Sequence, residues 1–284
     1  MRSVKSLLAA TAASILSTAA FAADLPIAAP PMYAPPPPAE FSGWYLRGDV
    51  GMSNQRAKDL TLTDAPFPAG FQTTGLGFDS APIWDIGVGY QFNNWFRTDL
   101  TAQWRGKSNL HASQFAPFGA IGPFFTAADN YTGSKSEAVV MVNGYVDLGT
   151  WWCITPYIGG GLGASYNRIS GFQDNGVIIN TALASPLSNS VTYAGDSGKW
   201  NFAWALHAGL GYRVTPNVTV ELGYSYMNLG DAVTGRTNSF DGVTVVNGSG
   251  FTVKNITSND VKLGVRFDLD SPPPPPPPPI IRKG

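Results

Sequence analysis

The stretch that most constrains the fold runs from residue 260 to residue 269, where apolar and charged residues alternate. Its odd positions are apolar: Val261, Leu263, Val265, Phe267 and Leu269. Its even positions hold Gly264 and four charged residues. An extended strand with this period of two has one oily face and one ionic face. A soluble sandwich seldom has so charged an outer face, whereas a membrane β-barrel has lipid on one side and a polar lumen on the other.

The composition favours the same class of protein. Charged residues make up 13% of the 284 residues, about half the roughly 25% of soluble proteins. No apolar run after the N-terminus reaches the roughly 18 residues of a transmembrane helix. The balance of 18 basic and 19 acidic residues gives no reason to expect a nucleic-acid partner.

The N-terminus has the pattern of a secretory signal peptide, predicted over residues 1–22. Arg2 and Lys5 precede an apolar core, and the small-x-small site at residues 20–22 predicts cleavage between Ala22 and Ala23. Proline-rich segments then flank a single patterned region. We expect a periplasmic arm at 23–40, an outer-membrane barrel at 41–269 and a periplasmic tail at 270–284, with the two proline-rich ends disordered.

The repeated alternation predicts an all-β fold, a single eight-stranded antiparallel transmembrane β-barrel. The eight predicted strands are 42–53, 81–92, 95–105, 137–148, 157–167, 200–214, 218–226 and 260–269. Short connections alternate with long ones, as expected for periplasmic turns and extracellular loops. The long connections are 54–80, 106–135, 168–199 and 229–253.

The tryptophans support this arrangement because indole prefers the membrane–water boundary. Four are predicted near periplasmic strand ends: Trp44, Trp95, Trp151 and Trp152. Four are predicted in the outer halves of strands: Trp84, Trp104, Trp200 and Trp204. The sequence therefore predicts two aromatic girdles.

Two segments carry a family resemblance, F-S-G-W-Y-L-R-G-D at 41–49 and T-P-Y-I-G-G-G-L-G at 155–163. With them the chain resembles the small eight-stranded outer-membrane proteins of alphaproteobacteria, related to OmpA-type and opacity-type barrels. The resemblance implies an outer-membrane location in a Gram-negative cell and little chemistry. Members are described as structural proteins, surface antigens, small porins, haem binders or adhesins.

The last strand also resembles the C-terminal signal that the barrel-assembly machinery reads in such proteins. The matching residues are Lys262, Gly264, Phe267 and Leu269. The signal usually ends the chain, whereas 15 residues follow Leu269 here. Anchorage through a peptidoglycan-binding domain, found in OmpA-type chains after a proline-rich linker, is not implied.

The strand register directs a nearly balanced set of charges into the lumen. The predicted network comprises Arg47, Asp49, Asp85, Arg97, Asp99, Asp147, His207, Arg213, Glu221, Lys262 and Arg266. Side chains can fill the interior of an eight-stranded barrel, and charges there persist only if paired. Strand adjacency predicts the pairs Arg213–Glu221, Arg266–Glu221 and Arg97–Asp147, which together would close the lumen.

Several motifs have plainer explanations than their names suggest. The Arg-Gly-Asp tripeptide at 47–49 is predicted to be a lumenal ion pair rather than an adhesion motif. The glycines at 159 and 161 lie in an alternating strand, which favours room for large opposite side chains over a dinucleotide site. His207 is predicted inside the barrel, and His111 at the outer rim has no convincing partner for catalysis. We therefore expect no enzyme activity, no cofactor and no metal site.

The sequence thus favours a structural outer-membrane barrel that presents four long loops. A small-solute porin and a surface receptor or adhesin for haem, host or phage remain open. The loop 106–135 contains Phe115, Phe118, Phe124, Phe125 and Tyr131. These rings would either contact an extracellular ligand or fold back over the barrel mouth.

Overall fold

A computed structural model describes residues 42–117, 119, 121–183, 185–240 and 242–270. The predicted signal peptide with Ala22 and Ala23, the proline-rich arm and residues 271–284 of the tail lie outside the described residues. In the described part, no helix has the length and apolar character that crossing a membrane requires.

The described chain forms thirteen strands, all in one antiparallel sheet. In chain order they are β1 (Gly43–Arg56), β2 (Asp59–Leu62), β3 (Gln72–Phe78), β4 (Ala81–Gln91), β5 (Phe96–Ala116), β6 (Phe125–Asp147), β7 (Ile154–Asn180), β8 (Ser185–Ala194), β9 (Ser197–Thr215), β10 (Val218–Val233), β11 (Thr237–Phe240), β12 (Val245–Gly248) and β13 (Phe251–Asp268).

Eight of the described strands close into a ring, in the order β1, β4, β5, β6, β7, β9, β10 and β13. The first strand pairs with the last from Tyr45↔Asp268 to Arg56↔Thr257, so the ring has no open edge at this level. Closure satisfies every strand edge within the apolar environment of a bilayer. The predicted eight-stranded antiparallel barrel is confirmed.

The ring exposes apolar side chains outward and buries polar ones inward. On β1, Leu46, Val50 and Met52 are about half exposed, while the alternating Arg47 and Asp49 are buried. The same inversion recurs around the ring, with Leu100, Val142, Leu162, Phe202, Leu222 and Leu263 exposed. A soluble protein would bury these aliphatic groups. The exposed groups form an apolar belt, at whose inner end lie the short turns 92–95, 148–153 and 216–217.

Several strands extend far beyond the ends that apolar alternation predicts. β5 continues to Ala116 and β6 begins at Phe125, so most of the predicted loop 106–135 is a β-hairpin. β7 likewise runs to Asn180, thirteen residues past its predicted end at 167. Above the apolar belt the outer strand face meets water and becomes polar. The alternation of apolar and polar residues therefore no longer marks the strands there, although the backbone pairing continues.

This outer continuation is predicted to face the cell exterior and is hereafter called the extracellular extension. It consists of β2, β3, β8, β11, β12 and the parts of β5, β6, β7, β10 and β13 beyond the belt. Its sheet runs in the order β3, β5, β6, β7, β8, β11, β12, while β2 pairs with the top of β13. A buried apolar cluster fills its inside: Leu60, Phe78, Leu110, Tyr131, Ile169, Phe172, Leu229, Phe251, Val253 and Ile256. The extension thus has a hydrophobic core above a polar lumen.

Candidate functional site

Buried polar and charged side chains are concentrated in the barrel interior. At its inner end Glu221 on β10 faces three guanidinium groups. Arg266 Nη1 lies 3.0 Å from Glu221 Oε1, Arg97 Nη2 lies 3.4 Å from the same oxygen, and Arg47 Nη2 lies 3.7 Å from Oε2. All four side chains are buried. One carboxylate therefore joins β1, β5, β10 and β13.

Further carboxylates neutralise the excess positive charge around Glu221. Arg97 Nε donates to Asp147 Oδ1 at 3.2 Å, and Arg266 Nε lies 3.6 Å from Asp268 Oδ1. The Arg97 guanidinium also lies 4.4 Å from the ring centroid of Tyr145 and 4.8 Å from that of Tyr157. A cation over an aromatic face is attracted by the ring quadrupole, so the rings stabilise the charge that they surround.

The Arg-Gly-Asp tripeptide lies inside this network. Arg47 Nη2 donates to Asp49 Oδ1 at 2.9 Å, and Arg47 Nη1 donates to Asp99 Oδ2 at 3.0 Å. Both Arg47 and Asp49 are at least nine-tenths buried. Neither side chain can reach an external receptor from there.

The middle of the lumen combines a charged pair with a hydrogen-bonded histidine cluster. Lys262 Nζ lies 3.1 Å from Asp85 Oδ2, which also accepts a bond from Gln103 at 2.8 Å. His207 lies 2.8 Å from Ser225 Oγ through Nδ1 and 3.2 Å from Asn143 Oδ1 through Nε2. His207 thus has a polar neighbour at each ring nitrogen and is held as a structural residue.

A third charged layer lies at the outer end of the polar lumen. Arg105 forms a close ion pair with Asp260 and lies 3.6 Å from Glu137 Oε2. Lys135 pairs with Glu137 and donates to Gln55 Oε1 at 2.7 Å. Arg105, Asp260 and Lys135 are at most 1% exposed. The apolar cluster of the extension begins directly above this layer, where Lys135 Nζ lies 5.1 Å from the ring centroid of Phe78.

Sequence reasoning missed part of this layer for an identifiable reason. Lys135 and Gln55 fall in segments interpreted as loops, so neither received an inward direction. The signal that could have found them is the continued alternation of β1 and β6 past the apolar belt, which buries Ser53 with Gln55 and Lys135 with Glu137.

Arg213 differs from the predicted network. It is exposed, and in the described part of the chain no ion pair within 4.0 Å joins it to Glu221. The regular β9–β10 ladder places it opposite Thr219, whereas Glu221 lies opposite Gly211. Arg213 therefore lies exposed at the inner rim, two residues nearer the turn than Glu221 along the ladder.

The predicted assembly residues occupy both faces of β13. Phe267 and Leu269 are about half exposed at the inner end of the belt, and Lys262 faces the lumen. Gly264 lies opposite Asp49 in the β1–β13 ladder. A methyl group at Gly264 would collide with the Asp49 carboxylate. The glycine therefore has a packing reason to be there, besides any part in recognition.

The extension carries two neighbouring carboxyl groups beyond the apolar belt, the buried Asp174 and the partly buried Asp129. Asp174 is 8% exposed. Burial, assisted by repulsion from Asp129, raises the pKa of its carboxyl to about 7. Burial also raises the pKa of Asp129. Burial together with the two nearby carboxylates raises the pKa of Tyr131, whose hydroxyl donates to Gln114 at 2.9 Å.

The aromatic residues of the predicted second loop divide between the two alternatives. Tyr131 folds inward and is 2% exposed, in contact with Phe172 and Phe251. Phe115 and Phe124 point outward and are about half exposed, while Phe118 lies outside the described residues. Further apolar groups are exposed at the tip of the extension: Leu183, Tyr193, Phe240, Val243, Val245 and Val246.

The glycine motif of β7 and the histidine at the outer rim were also singled out in the sequence. Gly159 and Gly161 lie within β7, which continues as a strand, and a side chain at Gly159 would collide with the ring of Tyr145. His111 Nδ1 lies 3.9 Å from Asp79 Oδ1 with both groups more than half exposed, not beside Asp129. Among the described residues, no group of three or more His, Cys, Asp or Glu side chains is arranged to hold a metal ion.

One protein-family model matches almost the whole chain. The model of the "Outer membrane protein beta-barrel domain" matches residues 8–267. An uncharacterized protein of Brucella abortus (strain 2308) is 32% identical over 229 residues, which cover 75% of this chain and 76% of the relative. A protein of Rickettsia bellii (strain OSU 85-389), named as a candidate adhesin, is 27% identical over 93% of this chain and 98% of its own.

A protein that matches over a shorter stretch and a solved structure are also similar to this chain. Outer membrane protein PagN of Salmonella typhimurium is 29% identical over 150 residues, covering 51% of this chain and 56% of its own. The crystal structure of Neisserial surface protein A aligns with a TM-score of 0.41 and 16% identity, covering 81% of this chain and all of that one.

Proposed function

The chain belongs to the outer membrane protein β-barrel domain family, and from this premise we propose that it is a closed barrel of the outer membrane that displays the extracellular extension. The outer membrane is its location and the bilayer its solvent. The observation that carries the closed lumen is the cluster of Glu221, Arg97, Arg266 and Arg47, which crosses the barrel interior at one level.

The physical argument is that interlocked opposite charges leave no aqueous path. A pore lined by one sign of charge attracts ions and stays hydrated, whereas here each buried arginine lies within 4 Å of at least one carboxylate. An eight-stranded barrel has an interior that side chains can just fill. Above the charged layers the apolar cluster around Phe251 excludes water from the outer end.

Planar-bilayer recording tests this proposal against the small-solute porin. The purified protein, inserted at high copy number, should give no steady openings of the nanosiemens order. A known porin prepared in the same detergent controls for insertion. Steady openings of that order from the wild-type protein would contradict the closed lumen and support the porin.

A second candidate function, surface receptor or adhesin, is favoured by one observation of its own. The tip of the extension exposes Tyr193, Phe240, Val243, Val245 and Val246, which are between 48% and 87% exposed. Apolar side chains grouped on a surface are typical of contact sites. The name of the Rickettsia bellii relative agrees with this candidate.

Binding assays separate the adhesin from a protein that is only structural. Beads carrying the protein in lipid should adhere to cultured eukaryotic cells or retain haemin, and the double variant Val245→Ser/Val246→Ser should lose most of that binding. The matched variant Val261→Ser/Leu263→Ser changes lipid-facing residues instead and should keep it if the barrel folds. Equal binding by wild type and tip variant would contradict the role of the tip.

A further inference from the structure

The wall of the extracellular extension has a seam between β2 and β3. The ladder between β1 and β4 ends at Ser53↔Ala81. Beyond it, β1 leads into β2 and β4 is preceded by β3, so β2 and β3 are the upward continuations of two neighbouring strands. β2 bonds with β13 on its far side, and β3 bonds with β5 on its far side. In the described part of the chain no ladder joins β2 to β3.

The two strands therefore face each other with unpaired edges. A strand edge carries N–H and C=O groups at alternate positions and is a template for another strand. The remaining walls beside the seam are continuous, because Phe251↔Leu62 to Lys254↔Asp59 and Gln72↔Phe115 to Phe78↔Leu110 are paired. Among the described residues, β12 pairs only with β11 and leaves another open edge elsewhere in the extension, but there no second strand edge faces it across a cavity lined from both sides as at the seam.

A cavity of about 320 Å³ occupies this seam. Leu60 and Thr61 of β2 line one side, Thr73 and Leu76 of β3 line the other, and Phe67 and Phe71 close it from the connecting loop. The two phenylalanine rings stack with centroids 6.0 Å apart and planes within 10°. The lining thus combines apolar groups with the charged residues Lys58 and Asp59.

The buried hydroxyl of Thr61 is an independent observation that points to a ligand in this cavity. The Thr61 side chain is 6% exposed, and none of the described residues forms a hydrogen bond with its Oγ1. A buried hydroxyl without a partner costs free energy that natural proteins normally avoid. By contrast, the Thr73 hydroxyl across the cavity accepts a bond from Gln114 at 3.2 Å. The unsatisfied group belongs to the lining of the cavity.

We propose that the seam between β2 and β3 binds one extended peptide segment of a partner protein, which enters as an additional strand and bonds to both facing edges. Strand addition derives affinity from main-chain hydrogen bonds and specificity from pockets for alternate side chains. Here the inward-pointing side chains of the segment contact Leu60, Leu76 and Phe67. The cavity is at the small end of ligand sites, about 300–1,000 Å³, which suits a short segment and excludes a folded domain.

A displayed-peptide selection tests the proposal directly. A phage library of random dodecapeptides is selected on the wild-type protein in nanodiscs and counter-selected on Thr73→Trp, whose indole fills the cavity. The control Thr74→Trp makes the same change at the next residue of β3, which is exposed and outside the cavity. Heat-modified migration in gels shows that both variants are folded barrels.

Peptides should enrich on the wild type and on Thr74→Trp but not on Thr73→Trp. Failure to enrich any peptide that distinguishes Thr73→Trp from the wild type would overturn the proposal. Retention of oligosaccharides from a glycan array by the wild type but not by Thr73→Trp, without an enriched peptide, would assign the cavity to carbohydrate and overturn it as well.

Backbone methylation distinguishes insertion from other modes without any protein variant. An enriched peptide is resynthesised in two forms, each methylated on alternate amide nitrogens. A strand inserted between two partners donates on both sides, so each form should bind at least about tenfold more weakly, as expected for the loss of two or more hydrogen bonds. Sensitivity of only one form would indicate addition to a single edge, and insensitivity of both would indicate side-chain recognition; either overturns the proposal.

This inference goes beyond the closed-barrel proposal and does not rest on it. A conducting lumen would leave the seam unchanged, since the cavity lies in the extension. A failed peptide selection would in turn leave the bilayer recording unaffected.

Discussion

Arg266 Nη1 lies 3.0 Å from Glu221 Oε1 across the β10–β13 ladder, in a layer where neither side chain is more than 6% exposed. Arg97 Nη2, on β5, lies 3.4 Å from the same oxygen. The Glu221 carboxylate therefore forms ion pairs with arginines on opposite walls of the barrel. Glu221 thus links strands across the barrel interior and also neutralises the charge of the arginines.

Replacing Glu221 by alanine should destabilise the barrel strongly. The change leaves Arg47, Arg97 and Arg266 with less negative charge in a poorly hydrated interior, and removal of one partner of a buried ion pair costs about 3–5 kcal/mol. Urea unfolding in lipid vesicles, followed by tryptophan fluorescence, measures the loss. We expect the midpoint to fall further than for any single loop substitution.

The matched control for this prediction is Asp64→Ala, which removes a carboxylate from an exposed position in the loop before β3. Its unfolding midpoint should stay within error of the wild type, because exposed charges contribute little. A Glu221→Ala protein as stable as Asp64→Ala would show that water reaches the arginines, and would count against the closed lumen.

Phe251→Ala should loosen the extracellular extension while the membrane barrel stays intact. The ring centroid of Phe251 lies 4.9 Å from that of Phe172 and 5.4 Å from that of Tyr131. Truncating a buried phenylalanine typically costs about 3–5 kcal/mol. Limited proteolysis should cleave the extension faster, with unchanged heat-modified migration. Phe240→Ala, at a half-exposed ring, should change neither, and equal cleavage of both variants would contradict the core assignment.

The membrane-spanning part of this fold could be predicted from sequence because lipid imposes a simple rule. Within the apolar belt each strand must alternate oily and polar residues, so the alternation alone assigns Leu263 and Arg266 to opposite faces. The pairs Arg266–Glu221 and Arg97–Asp147 lie within ion-pair distance. The positions of these residues on adjacent strands, at similar heights in the membrane, were sufficient to predict both pairs.

The extension could not be predicted in the same way because water removes that rule. Segment 106–116 has a polar outer face, so its strand character depends on backbone pairing with residues 127–135, which no local pattern reveals. Arg213 shows a second limit. The β9–β10 ladder places it opposite Thr219, two residues nearer the turn than Glu221, and alternation counted along one strand does not give the register between two strands.

The stability of the extension should depend on pH through Asp174. Burial and the neighbouring Asp129 raise the pKa of Asp174 from 3.8 to about 7. A carboxyl with a raised pKa in the folded state favours folding in its protonated form. The extension should therefore be most stable below about pH 4, lose stability as pH rises towards about 7, and change little above that. The slope is at most about 1.4 kcal/mol per pH unit for one group.

Hydrogen exchange of the β6 and β7 amides around residues 129 and 174, converted to protection factors, measures this dependence. Asp174→Asn should flatten the profile between pH 4 and 7 and raise protection at pH 8. The control Asp196→Asn changes a carboxylate that is about half exposed and paired with Arg168, and should leave the slope unchanged. A wild-type profile that rises with pH over this interval would contradict the assignment.

Phe267→Ala should lower the amount of protein that reaches the outer membrane. Phe267 lies opposite Leu46 on β1 and Val218 on β10, at the closing strand of the ring, and it is 47% exposed towards lipid. Its removal should weaken recognition of the last strand by the assembly machinery, giving a several-fold fall in fractionated membranes, whereas deletion of residues 271–284 should have no effect. Phe202→Ala is the matched control, because that ring is 66% exposed on β9 and faces lipid without being part of the final strand. If the two alanine variants reach the membrane equally, the loss of a lipid-facing ring alone would account for the result, and β13 would have no special part in assembly.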